Sequence, residues 1–450
     1  MFKGIAQAAT VAMLMLTTGC VTQPPPSQTA VIFARSADAA ARAVERASGL
    51  ITHDLPLINA VGASISEAQL DVLANDSTVV RVVIADPSAS DETQNTRSNS
   101  EIAEWLQESL SRSAVNGALH TYLETAAPAL TGNGVGIAIV DTGLSPILNT
   151  QVSSAGHPLG FNALTNEPGD VQDVTGHGTH LASLISGFGD DLRGIAPDAE
   201  LIAIKAFNRE DSASTLDIIR AIQWAVDHRT RHNIRLLNLS ISAPTDLPYY
   251  LDPLNIALTN AWGEGLVVVV SAGNEGPGQS SITAPGNNPW LLTVGAADYA
   301  SEGGWVSLAP FSGRGPTDTG HIKPDIVVPG TLLAGVRPDS AKRPEGEPDH
   351  RDPNGLWITS GTSQATAIAS GMIALLLEAR PELSNHDIKC ILANTASPLT
   401  SEGGVPLSPF SQGRGFINLF KALNSNATQC EERLEGIDPS TPLQGAFPPG

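Results

Sequence analysis

The chain has 450 residues, carries a formal net charge of −21 and is 16% charged, with 42 Gly, 32 Pro and only 4% aromatic residues. That length suits roughly two or three domains. The acidic balance, with no cluster of Lys and Arg, argues against a nucleic-acid partner, because phosphate binding needs concentrated cations. Hydrophobic residues make up 41% and lie between Gly- and Pro-rich connectors, which is the composition of a soluble α/β protein and not of a disordered or fibrous one.

At the start of the chain, Lys3 precedes an apolar run from Gly4 to Leu16 that is too short for a membrane span and reads as an export signal over residues 1–19. The run closes on Leu16-Thr17-Thr18-Gly19-Cys20, which resembles the lipobox of bacterial lipoproteins. That resemblance implies cleavage before Cys20, lipid on Cys20 and contact with a bilayer; an ordinary signal peptide with an incidental cysteine is the alternative. Residues 20–29, with Pro24 to Pro26, read as a tether. Val21 is not the acidic residue associated with inner-membrane retention, so the same resemblance implies the cell envelope, at the outer membrane or in the periplasm. With Cys20 lipidated, an oxidising compartment leaves Cys390 and Cys430 as an even pair, either a disulfide or two inert thiols.

Residues 30–87 alternate between extended and helical patterns. Val31 to Ala34 is an apolar strand, Ser36 to Ser48 an Ala-rich helix, and Leu55 to Val61 extended. A second helix opens on the capping-box spacing of Ser66 and Gln69, ahead of Leu70, Val72 and Leu73, and Val79 to Ile84 closes the unit as a strand. The order describes a small α+β, βαββαβ-like unit. Residues 88–114 read as a linker, because Ser88 to Ser100 holds Asp91, Glu92, Gln94 and Asn95 and almost nothing apolar.

Over residues 115–425 a series of apolar strands follows: Val135 to Val140, Leu201 to Ala206, Ile234 to Leu239, Leu266 to Val270 and Leu291 to Val294. Helices separate them; one starts near Ser214 and carries Ile218, Ile219, Ile222, Ala225 and Val226 at helical period. Continuous apolar strands between helices predict a doubly wound parallel sheet with helices on both faces. The Pro- and Gly-rich tail over 426–450 carries no structural signal.

Chemistry in such a sheet gathers at the carboxyl ends of the strands. Asp141 ends the first strand in Asp141-Thr142-Gly143; His177 lies in Gly176-His177-Gly178-Thr179-His180 at a helix start; Ser363 lies in Gly361-Thr362-Ser363-Gln364-Ala365 ahead of a long apolar helix. Each alone has an ordinary capping or packing explanation. Together they supply the nucleophile, the general base and the orienting carboxylate of hydroxyl-based acyl transfer.

From Val115 to Leu423 the sequence resembles the subtilase (subtilisin-like) serine peptidase family. Asp, His and Ser come in the family's order, separated by 36 and 186 residues, and Ser271-Ala272-Gly273-Asn274-Glu275-Gly276 follows a strand where the family places its oxyanion-hole Asn. The resemblance implies an endopeptidase acting on polypeptides through an acyl-enzyme, with Asp141, His177 and Ser363 catalytic and Asn274 holding the oxyanion. It implies no required cofactor. It also makes the N-terminal unit an inhibitory and chaperoning propeptide, cleaved within Ser88 to Val115. His180, one turn along its helix, is a packed neighbour of the site, and no His or Cys spacing points to a metal.

Departures from the family bear on specificity. Substrate backbone is expected along Ser240, Ile241 and Ser242, and beside Ala272 and Gly273, but Ser242 and Ala243 stand where the family has two glycines. Their side chains are expected to narrow the first pocket or to restrict cleavage to small residues. The segment Val336 to Asn354 reads as a surface loop near the cleft rim, either a tolerated insertion or a substrate-selecting flap. Gly187 to Arg193 is short where many relatives bind calcium, and Asp190 and Asp191 alone make no ligand set, so a structural calcium has no assignable site. Two other readings use the same residues: a catalytically silent envelope protein that holds peptides, and a processing peptidase for one partner.

Overall fold

In the computed structural model the residues described are 27–425, apart from 86–88, 92–113, 146–159, 188–191, 244–246, 301–304, 339–340, 342–350, 353 and 402–403. The export signal, Cys20, Cys430, the C-terminal tail, Asp190, Asp191 and most of Val336 to Asn354 lie outside the described residues.

The N-terminal unit is an antiparallel sheet of β1 (Ser27–Ala34), β2 (Leu50–Leu55), β3 (Ala60–Ser66) and β4 (Val79–Ile84) in the order β2-β3-β1-β4. Helix α1 (Ala37–Arg46) is capped by the Ser36 side chain, and α2 (Glu67–Ala74) starts on the capping box of Ser66 and Gln69. Two boundaries differ from the sequence reading. The tether's last residues, Ser27 to Thr29, belong to β1 because they pair with Ser64 to Ser66. The stretch Leu55 to Val61 is a corner, where the single helical turn Pro56–Ile58 joins two strands.

Strand β1 is apolar without alternation because both faces are covered. Ala30, Ile32 and Ala34 pack with Ala40, Ala43, Val44, Val61, Ala63 and Ile65 under α1. Val31 and Phe33 point the other way, joining Leu55, Ile58 and Ala60 in the core of the main sheet's helical layer. Polar contacts seal the join: His53 Nε2 lies 3.0 Å from Asp217 Oδ1, the Leu57 amide donates to Gln223 Oε1 at 2.6 Å, and Asn260 Nδ2 donates to the Leu57 carbonyl at 2.7 Å.

The main sheet contains β6 (Gly136–Asp141), β7 (Gly160–Asn162), β8 (Glu167–Pro168), β9 (Glu200–Lys205), β11 (Ile234–Leu239), β13 (Val267–Ser271), β14 (Leu292–Ala300), β15 (Trp305–Leu308) and β16 (Ile326–Pro329). Its order is β15-β14-β13-β11-β6-β9-β7-β8, with β16 also pairing β14; all neighbours are parallel except β14/β15 and β7/β8. Helices α3 (Ala114–Ala126), α4 (His177–Ser186), α7 (Thr362–Ala379) and α8 (Asn385–Thr395) serve one face, and α5 (Thr215–His228) and α6 (Pro253–Gly263) the other. Alternation within strands divides the two cores: Ile137, Ile139, Val267 and Val269 face the first, whereas Ala138, Val140, Val268 and Val270 face the second.

A buried ion cluster fastens the sheet's far side. Lys323 Nζ lies 2.7 Å and Lys389 Nζ 3.3 Å from the Asp325 carboxylate, which also accepts from the Thr293 amide at 2.7 Å. Burial pulls the Lys323 ammonium down to about 7. Burial alone would raise Asp325, but the two ammoniums prevail and hold its carboxyl below the usual range. Removing one member strands the others, so Asp325→Ala is expected to destabilise the fold by about 3–5 kcal/mol. Denaturant unfolding monitored by tryptophan fluorescence would measure it, and a loss within experimental error would show the cluster to be incidental.

Candidate active site

Asp141 closes β6 at the carboxyl edge of the sheet, where it is 1% exposed. Its Oδ1 lies 2.8 Å from His177 Nδ1 and accepts the Thr142 amide at 2.8 Å. His177 is the first residue of α4 and 7% exposed. The close approach of α4 to the Asp141 turn requires Gly178: a Cβ there would collide with the Gly143 carbonyl oxygen and sit 3.0 Å from Asp141 Oδ1.

A residue that the sequence reading passed over fixes this corner. Asp173, 1% exposed, accepts through Oδ1 from Thr142 Oγ1 and from the Thr175 and Gly176 amides, and through Oδ2 from the Thr179 amide and hydroxyl. Lys205 Nζ donates to the Thr142 and Gln172 carbonyls at 2.6 and 3.0 Å, locking the same two loops. Burial lowers the Lys205 ammonium, opposed by Asp173, Asp170, Asp141 and Asp211. The spacing of Asp173 and Thr175 ahead of Gly176-His177 was the available signal.

Ser363 lies in the first turn of α7, preceded by Gly361 and 2% exposed. Its Oγ donates to the Ser240 carbonyl at 3.5 Å, and Ser240 Oγ donates back to the Ser363 carbonyl at 3.2 Å. Asn274 follows β13, and its Oδ1 accepts from the Thr362 amide at 2.9 Å and the Thr362 hydroxyl at 3.0 Å. Both bonds use the carbonyl end of the Asn274 side chain, so its amide hydrogens are left to face away from Thr362. His180 is buried, with Nε2 3.1 Å from the Trp357 carbonyl, and burial drives its imidazole down to about 4. It stays neutral at physiological pH, as befits a packed neighbour.

Residues 132–415 match the model of the subtilase family, Peptidase_S8. The chain belongs to the subtilase family. Serine protease AprX of Bacillus subtilis (strain 168) is 34% identical over 300 residues, which cover 64% of this chain and 66% of AprX. Subtilisin Savinase of Lederbergia lenta is 32% identical over 276 residues, 60% of this chain and 87% of that protein. This subtilase thus spans just under two thirds of the length of AprX. Among solved structures, fervidolysin from Fervidobacterium pennivorans, described as a keratinolytic enzyme related to subtilisin, superposes with a TM-score of 0.65 at 21% identity, covering 90% of this chain and 62% of its own. That likeness is one of fold, the subtilisin-like α/β sheet with helices on both faces.

The segment expected to lie along substrate, Ser240 to Ser242, pairs with residues that sequence reasoning assigned to the linker. Residues Ala89–Asp91 form β5, a strand lying between β10 (Ser212–Ala213) and β12 (Ile241–Ser242) and antiparallel to both. Ala89 faces Ala213, Ser90 faces both Ser212 and Ser242, and Asp91 faces Ile241. The tripeptide is polar and has no strand signal of its own; the two flanking backbones impose its conformation. A side chain at Ser242 does not prevent the pairing, because side chains leave a ladder across its hydrogen-bonding direction. Ala243 turns aside, donating its amide to the Ala284 carbonyl at 2.9 Å.

Beside the groove, Ala272 is fully buried and Gly273 has φ +92°. A Cβ on Gly273 would lie 2.6 Å from Thr283 Oγ1, a buried hydroxyl that has no hydrogen-bond partner. Cys390, on α8, is disulfide-bonded. Among the described residues no group of three or more His, Cys, Asp or Glu could hold a metal ion, and no helix is long and apolar enough to cross a membrane.

Proposed function

We propose that this subtilase is a serine endopeptidase that hydrolyses peptide bonds through an acyl-enzyme and is made as a precursor that cuts itself. The observation that carries the reading is the buried 2.8 Å pair of Asp141 and His177 on the same sheet edge as Ser363 and Asn274. A serine hydroxyl is a poor nucleophile at neutral pH, so His177 takes its proton during attack and returns it to the leaving amine. Asp141, bonded to Nδ1, holds the ring and stabilises its charged form. The developing oxyanion is met by the Asn274 amide and the Ser363 N–H at the start of α7, where the helix dipole also favours negative charge.

The N-terminal sheet acts as the propeptide, and β5 delivers its end to the groove. The strand register supports one bond. Asp91 faces Ile241, and the carbonyl next along, that of Ser240, is the one in contact with Ser363 Oγ. Counting one residue onward assigns Glu92–Thr93 as the bond cut. The disulfide of Cys390 is taken to join Cys430 and pin the tail to α8, and Cys20 is taken to carry the lipid that holds the exported enzyme at the cell envelope.

A fluorophosphonate probe tests the reading directly. The wild-type protein is expected to label and to yield a mature chain whose N-terminal sequence starts at Thr93; Ser363→Ala is expected to lose the label and remain full-length. Failure of a folded chain freed of residues 1–92 to label would instead favour a silent peptide-binding protein, and processing that survives Ser363→Ala would exclude self-cleavage.

A further inference from the structure

The turn ahead of β10 holds a carboxylate that the mechanism above does not use. Asp211 sits at the end of the turn closed by the Asn208 amide on the Ser212 carbonyl at 3.0 Å, in the left-handed region with φ +55°. Its carboxyl hydrogen-bonds the Thr175 side chain, but Oδ1 is buried with no hydrogen-bond partner. Burial, the largest influence, raises its pKa; His177 favours its charge, and Asp141 and Asp173 oppose it.

The strand register says what this carboxylate faces. Ser212 is opposite Ser90 and Ala213 opposite Ala89, so Asp211, the turn residue just before the ladder, comes next to position 91 of the bound strand. On the other side that position faces Ile241, one residue short of Ser240. It is therefore the second residue before the bond offered to Ser363.

We propose that Asp211 is a specificity-determining residue that makes this groove position select a cationic side chain and reject an anionic one. The inference rests on the endopeptidase reading and on the register that assigns the cut bond. A buried carboxylate oxygen without a hydrogen bond is costly, and a lysine or arginine brought by the substrate supplies a donor to Oδ1 beside the Thr175 bond. An acidic side chain at the same position adds a negative charge close to Asp211, whose charge Asp141 and Asp173 already oppose, and pays the repulsion of like charges. The chain's own segment carries Asp91 there. It is held in the groove by its connection to the N-terminal sheet, which docks on the helical layer through Val31, Phe33 and Leu55 and so gives the segment a high effective concentration, and not by charge complementarity.

The test uses quenched-fluorescence peptides built on residues 89–94, Ala-Ser-Xaa-Glu-Thr-Gln, with Xaa as Lys, Ala or Asp, at neutral pH and low salt. The mature enzyme is expected to show kcat/KM in the order Lys, Ala, Asp, with a Lys-to-Asp ratio of roughly 10–100 that shrinks in 1 M salt. Asp211→Asn, which suits the left-handed turn, is expected to bring that ratio to within about threefold, and Asp211→Gly serves as a second variant for the same backbone. Equal rates for the three peptides in the parent enzyme, or a ratio preserved in both variants, would overturn the proposal. If no peptide is cut, the endopeptidase reading fails separately. Affinities of the same peptides for Ser363→Ala protein lacking residues 1–92 then decide: Lys tighter than Asp upholds charge selection, and equal affinities refute it.

Discussion

His177→Ala is expected to reduce kcat by on the order of 10⁶-fold while leaving KM within a few-fold, a factor measured on subtilisin and carried over with the family. The reason lies in how little else in the site can take a proton. His180, the nearest other imidazole along α4, is buried, bonded through Nε2 to the Trp357 carbonyl and kept neutral down to about pH 4, so it cannot substitute. Asp141 is confined by His177 and the Thr142 amide. Single-turnover acylation of a peptide ester would measure the loss, and a residual rate within a hundredfold of wild type would mean that another group serves as base.

Asn274→Leu is expected to lower kcat by about 10²–10³-fold with KM nearly unchanged, again the magnitude known from subtilisin. The split between the two constants carries the meaning: the Asn274 amide meets negative charge that exists only on the way through the reaction, so its loss leaves ground-state binding intact. The Thr362 amide and hydroxyl lose their acceptor in the same variant, so the start of α7 should be checked by thermal denaturation. A rise in KM with kcat preserved would show that Asn274 binds substrate and not the oxyanion.

Much of this molecule could be read from contiguous signals. The strand Ile234 to Leu239 falls where its apolar run predicts, and the capping box at Ser66 and Gln69 starts α2 as its spacing requires. Asp141, His177, Asn274 and Ser363 stood out because each sits in a short Gly-rich motif at a strand end or helix start. What escaped notice depends on partners remote in sequence. Strand β5 exists only because Ser212 and Ser242 lie on either side of Ser90. The ion cluster needs Asp325, just ahead of β16, to meet Lys389 on α8, and Thr283 matters only because Gly273 passes over it. Asp211 looks like one polar residue among several in Asn208-Arg209-Glu210-Asp211-Ser212; its meaning arises from the register of the strand beside it. The corner at Leu55 to Val61 was missed for a local reason, since Pro56 and a left-handed Asn59 break a run that looks uniformly apolar.

On the endopeptidase reading, the three-stranded arrangement around β5 constrains what a client protein must be. Strands β10 and β12 do not pair with each other; each offers an open edge that only an inserted backbone can fill. Recognition of this kind demands a stretch of main chain with both edges bare, which no helix supplies and no interior strand of an intact sheet can spare. Proline within the stretch weakens the ladder for want of an N–H. On that reading, a native protein meets these conditions in a loop or tail whose main chain is already bare, or where it has locally come undone, so the free energy of freeing a segment bears on which clients enter such a groove.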